Sequence, residues 1–142
     1  MCDPDSILGP KGLKKISELL GWVRDNFDLL CCDEVEPARI GVALVRDASV
    51  RNATRMLDAW RVASGPRCQL GVGVAIAIRE RHEKGSSSTS AAPAVTVRIT
   101  TGPKVTGLLD DAARRAVVAA MLPGLRAGGA FIGAVRAGVL SI

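Results

Sequence analysis

The stretch "TTGPKVTGLLDD", Thr100 to Asp111, holds the residues of this chain whose types and spacing come nearest to chemistry. Two glycines, Gly102 and Gly107, follow an alternating apolar run. Two carboxylates, Asp110 and Asp111, then open a helix-like stretch. Such a segment could cradle a phosphate, line an acidic active site, or only turn the chain. A G-x-x-x-x-G-K-[S/T] phosphate loop needs a lysine for the phosphates and a hydroxyl for magnesium. Gly102 and Gly107 have the right separation, but Leu108 and Leu109 follow and can do neither job. The dinucleotide fingerprint fails too, because Lys104 stands where its second glycine belongs. Asp110 and Asp111 keep two readings. Carboxylates at a helix start cap free N–H groups and oppose the helix dipole, worth about 0.5–2 kcal/mol; alternatively they belong to an acidic site.

Four arginines, Arg114, Arg115, Arg126 and Arg136, fall on the last two helical stretches. They form either a cationic docking face or ordinary solvated helix surface. His82 stands among Arg81, Glu83 and Lys84 and reads as a surface residue. The cysteines, Cys2, Cys31, Cys32 and Cys68, contain no C-x-x-C pair. With a single histidine beside them they argue against zinc. Reduced thiols of a cytosolic protein are the simplest account.

The elements that must position these residues follow from apolar periodicity. It predicts helices at Leu13–Phe27, Val50–Trp60, Asp111–Leu122 and Ala130–Leu140, with strands at Ile40–Val45, Val72–Ile78 and Val95–Thr100. Pro10 suits a first helical position, Ser49 an N-cap, and Pro123 a helix stop. Trp60 falls on the apolar side of its helix and is expected in the core. Pro37 breaks the pattern in "CDEVEPAR". Gly133 and Gly138 weaken the last helix but permit close packing. The Ser-rich link Gly85–Ala92 reads as an exposed, hairpin-like connection. Continuous apolar strands alternating with amphipathic helices imply an α/β fold, a three-layer α/β/α sandwich, and the short link between the second and third strands implies that they pair antiparallel, making the central sheet mixed.

Composition narrows the function. At 142 residues, about half of them apolar, the chain makes one domain, 1–142, with a real core. Aromatics are scarce, two Trp, two Phe and no Tyr, so stacking platforms for nucleic acid are not expected. The net charge of +5 comes from dispersed residues, which suits a mildly basic surface better than a nucleic-acid tract. No apolar stretch reaches the ~18 residues needed to span a bilayer. With Met1 as native start and "MCDPDS" unlike a signal peptide, the expected location is cytoplasmic.

The glycine segment resembles the turn of the TPM-domain family, which typically reads like G-Y-G-L-E-G-x-L-T-D-A. Gly102, Gly107, Leu109, Asp111 and Ala112 match it in register. "MLPGLRAGGAFIGAVRAGVLSI" is similar to the family's ending, with Pro123, Gly128, Gly133 and Gly138 at corresponding places. "DPDSILGPKGLKKISELL" is similar to its opening, and "RMLDAWRVASG" to the segment where a Trp precedes a glycine loop. The resemblance covers nearly the whole chain and implies an α/β sandwich. Family members include a weak acid phosphatase of the thylakoid lumen, a photosystem-repair factor, bacterial envelope proteins and an auxiliary receptor subunit.

In members with catalysis the resemblance implies an acidic cluster for a divalent cation, Ca or Mg, or for phosphate hydrolysis. Its counterparts here are Asp3, Asp110 and Asp111, with Asp3 and Asp111 the metal candidates and Asp5 nearby. The loop that usually carries D/N-N-G reads Cys68-Gln69-Leu70-Gly71, and the turn's glutamate is Thr106. A leucine offers a hard cation no side-chain oxygen, and a threonine only a neutral one. Two readings result. The first is a divergent, non-catalytic TPM-like module without cofactor, a small subunit binding a protein partner in a larger assembly. The second is a weak acid phosphatase with a reduced acidic or divalent-cation site.

Overall fold

The apolar run at Gly71–Arg79 becomes the central strand, because eight successive buried residues require cover on both faces. In chain order the elements of the computed structural model are α1 (Gly9–Asn26), β1 (Asp28–Cys31), β2 (Glu34–Pro37), β3 (Arg39–Arg46), α2 (Val50–Ala59), β4 (Gly71–Arg79), β5 (Ala94–Thr101), α3 (Asp111–Arg126) and α4 (Phe131–Leu140). The structure describes residues 1–31, 34–37, 39–62, 71–79, 93–107, 109–127, 131–140 and 142. The expectations for Cys32, the Cys68–Leu70 loop, His82, the Ser-rich link and Gly128 lie outside the described residues.

The sheet order is β3-β4-β5, with β3 parallel and β5 antiparallel to β4, so the sheet is mixed, as the expected antiparallel pairing of the second and third strands required. Helices cover both faces. Val42, Leu44, Val74, Ile76 and Ile78 turn toward Ile16 and Val23 of α1, Val117, Met121 and Leu125 of α3, and Val135 and Val139 of α4. Ala43, Val45, Ala75 and Ala77 turn the other way, onto Ala53 and Leu57 of α2. Small residues on that face let a single short helix lie close to the strands. Gly138 does the same between helices: a Cβ there would come within 2.2 Å of Met121 Sδ. Gly133, by contrast, faces open space.

Several expectations change in the folded chain. Asp28–Cys31 and Glu34–Pro37 pair as an antiparallel hairpin, where the sequence suggested only a break. Pro37 sits at the end of its strand, where a missing N–H is tolerated. Pro123 does not stop α3, which runs to Arg126 with the Ala127 N–H donating to the Pro123 carbonyl. An internal proline costs about 3 kcal/mol, and burying Leu125 completely offsets much of it at about 1.5–3 kcal/mol. Trp60 is 47% exposed rather than core. Helix α2 ends at Ala59 in a turn closed by Arg61 N–H to the Asp58 carbonyl and Val62 N–H to the Leu57 carbonyl. That turn puts Arg61 in the left-handed region at φ 52°. Val62, not Trp60, then packs against the α2-side core, in space that Gly41 leaves free. Phe27 is likewise exposed and makes an edge contact with Trp22 at 5.5 Å.

Candidate functional site

The glycine turn is held by its own hydroxyls and amides. Gly102 extends the β4–β5 ladder, donating its N–H to the Gly71 carbonyl at 2.9 Å. Its carbonyl accepts from the Val105 and Thr106 N–H groups at 3.0 and 3.2 Å and from the Thr106 hydroxyl at 3.2 Å. Thr106 Oγ1 also lies 3.1 Å from Thr101 Oγ1. Val105 and Leu109 bury their side chains against Val72 and anchor the turn to the sheet. A Cβ at Gly107 would meet nothing within 4 Å, so space does not require glycine there.

Helix α3 begins at Asp110, whose Oδ1 accepts the Ala113 N–H at 2.8 Å as an N-cap. Asp111, in the first turn, pairs with Arg114 Nη2. Arg114 Nη1 in turn donates to Thr101 Oγ1 at 3.2 Å, tying the helix to the end of β5. Both aspartates therefore perform the local work that carboxylates do at a helix start.

Beyond this junction a groove of about 520 Å³ runs between β5 and α3. Val97, Ile99, Val118 and Leu122 make its apolar floor; Arg98 and Arg115 stand at its margins. Within the described sheet, β5 is an edge strand with β4 on one side only. The bond from Gly102 to Gly71 sets the phase of the antiparallel ladder. Alternate residues point their backbone groups inward and outward, so Thr96, Arg98 and Thr100 bond to β4. Val95, Val97, Ile99 and Thr101 direct N–H and C=O away from the sheet. Among the described residues the side chains of Arg98 and Arg115 have neither hydrogen bond nor ion pair, and both are exposed.

The four expected arginines thus divide. Arg114 and Arg115 line the groove. Arg126 lies on the last turn of α3, about 16 Å further along at 1.5 Å per residue, and Arg136 is exposed on α4. Arg98 joins the site without having been singled out in sequence. Its signal was present: in "AVTVRIT" it falls out of phase with Val95, Val97 and Ile99, on the side of the strand that stays polar.

The carboxylates do not assemble. Asp3 lies along the opposite edge of the sheet, where Cys2 bridges to Ala43 of β3. Its two oxygens accept the Ile7 and Leu8 N–H groups, each at 2.8 Å. Asp5 Oδ2 accepts the Arg46 N–H at 2.7 Å. Three strand spacings, about 14 Å at ~4.8 Å each, separate that edge from β5 and the start of α3. A calcium or magnesium ion holds its oxygens within about 2.0–2.6 Å, so Asp3, Asp110 and Asp111 do not fit a shared ion. No group of three or more His, Cys, Asp or Glu among the described residues could hold one either.

A second hollow, about 330 Å³, lies at the start of β3 beside Arg24, Arg39, Trp60 and Arg61. Arg24 donates to Asp25 there at 2.8 Å, and that contact holds its pKa above the ordinary value. Among the described residues no helix is long and apolar enough to cross a membrane. Comparison with protein-family models, curated proteins and solved structures finds no match for this chain.

Proposed function

We propose that this chain is a non-catalytic, TPM-like interaction module, a small cytoplasmic subunit that binds a protein partner in a larger assembly through the groove beside β5. One observation carries the reading: an open strand edge, an apolar groove and two uncompensated arginines lie side by side, while the nearby carboxylates are taken up by the cap and the ion pair of α3. Unmet main-chain groups and free cations are what a partner can satisfy. They supply no nucleophile or general base.

The test sets binding against turnover. The tagged protein is recovered from cell extract at moderate salt and what stays bound is identified by mass. A stoichiometric protein whose purified form rebinds supports the module. In parallel, the wild type and Asp111→Asn are assayed on a generic phosphomonoester. Hydrolysis by the wild type that disappears in Asp111→Asn overturns the module and restores the phosphatase reading.

A further inference from the structure

Resting on the interaction-module reading, we propose that the free edge of β5 takes an extended, acidic–aliphatic segment of the partner as a fourth strand. The occupant's backbone follows from the phase of the ladder. Val95, Val97, Ile99 and Thr101 present outward N–H and C=O groups at every second residue, which an extended chain matches and a helix cannot. The opposite edge strand, β3, shows what satisfaction looks like: Cys2 donates to the Val42 carbonyl and accepts from the Leu44 N–H, both at 2.9 Å.

The occupant's side chains follow from the two faces of β5. Residues opposite Val97 and Ile99 lie over the groove floored by Val118 and Leu122, so they are aliphatic. Residues opposite Arg98 lie on the other face, beside an exposed guanidinium with no ion partner among the described residues. An acidic side chain there gains a cross-strand pair. Arg115 gives a second cation at the margin of the groove. Among the described residues Asp111 is the one carboxylate lining the groove, and Arg114 already neutralises it. A second copy of this chain fits less well. Pairing β5 with β5 about its centre sets the two Arg98 side chains opposite or diagonal to each other, where like charges repel.

The probe is a blocked eight-residue peptide of alternating Glu and Val, titrated into the isotope-labelled full chain. The largest amide shifts are expected at Val95, Val97, Ile99 and Thr101. Affinity should fall about tenfold or more when Arg98→Glu and Arg115→Glu are combined, and also when alternate peptide amides are N-methylated. Amide spectra that are unchanged away from β5 establish that the variant is folded. A Lys–Val peptide that binds as tightly, insensitivity to N-methylation, or shifts centred elsewhere overturns the proposal. So does a solution dimer whose interface maps to β5 without peptide. If the recovered partner binds the double variant as well as the wild type, strand addition fails while the module reading stands. Phosphomonoester turnover lost in Asp111→Asn removes the module itself.

Discussion

The two edges of the sheet received opposite treatment. Along β3, the N-terminal residues cover the edge: Cys2 exchanges two backbone bonds with it, and Asp5 accepts from the Arg46 amide. Asp3 spends both oxygens on the turn that leads into α1. Along β5, four outward residues remain unpaired within the described sheet, and the side chains of Arg98 and Arg115 beside them have no partner among the described residues. An open edge is a liability that folds usually blunt or cover. Here one side is closed with carboxylates and backbone, and the other carries a cation, Arg98, on the exposed face of the strand. That charge discourages pairing with a second copy and favours an acidic partner. Carboxylates on the closed side hold structure; on the open side Arg98 and Arg115 stay available.

The largest expected effect comes from loosening the N-terminal segment that closes the β3 edge. Asp3→Ala removes two charge-assisted bonds from backbone donors that are partly buried, and should cost about 2–4 kcal/mol in chemical denaturation. Asp3→Asn keeps one acceptor and should recover part of it. A loss below about 0.5 kcal/mol would mean that water replaces the carboxylate freely and that the turn before α1 does not depend on it. Hydrogen exchange reads the same contrast without mutation. The Leu44 amide, bonded to Cys2, should exchange on the order of a hundredfold more slowly than those of Val97 and Ile99. Equal protection at the two edges would show that β5 is paired in solution.

Smaller effects belong to the open side. Asp110→Ala loses one exposed cap bond, and about 1 kcal/mol of stability should go with it. Asp111→Asn breaks an exposed ion pair, and the loss should stay under about 1 kcal/mol. Smallest of all, Arg98→Glu with Arg115→Glu should leave stability within about 0.5 kcal/mol of wild type. Partner binding should nonetheless weaken, with the effect fading as salt shortens the screening length. If thermal denaturation instead shows a drop of 2 kcal/mol or more, far outside the usual range for surface substitutions, the arginines are structural and the contrast between the edges collapses.

Much of the fold was legible because strands and helices are written in local periodicity. β3, β4 and β5 extend the expected Ile40–Val45, Val72–Ile78 and Val95–Thr100 by one residue at each end. Ser49 and Asp110 cap helices as their types suggest. The unbroken apolar run of β4 announced burial on both faces, and the alternation of β5 announced one polar face. The hairpin at Asp28–Pro37 was hidden because its four-residue strands carry too few side chains for a period to emerge.

What local pattern cannot encode is which strand stands at an edge and what covers it. That depends on pairings between distant residues, such as Cys2 with Ala43 or Gly71 with Gly102, whose energies exist only once the chain has closed on itself. The sequence by itself determined the four helices, the three strands of the central sheet, the mixed α/β class and the cap at Asp110, because propensity, burial pattern and capping act within a few residues. Only the tertiary structure decided that Asp3 serves a backbone turn far from Asp110 and Asp111, that Val62 rather than Trp60 packs against the core, and that Arg98 and Arg115 line one groove. Each of those outcomes rests on long-range packing, which a local reading of residue types does not contain.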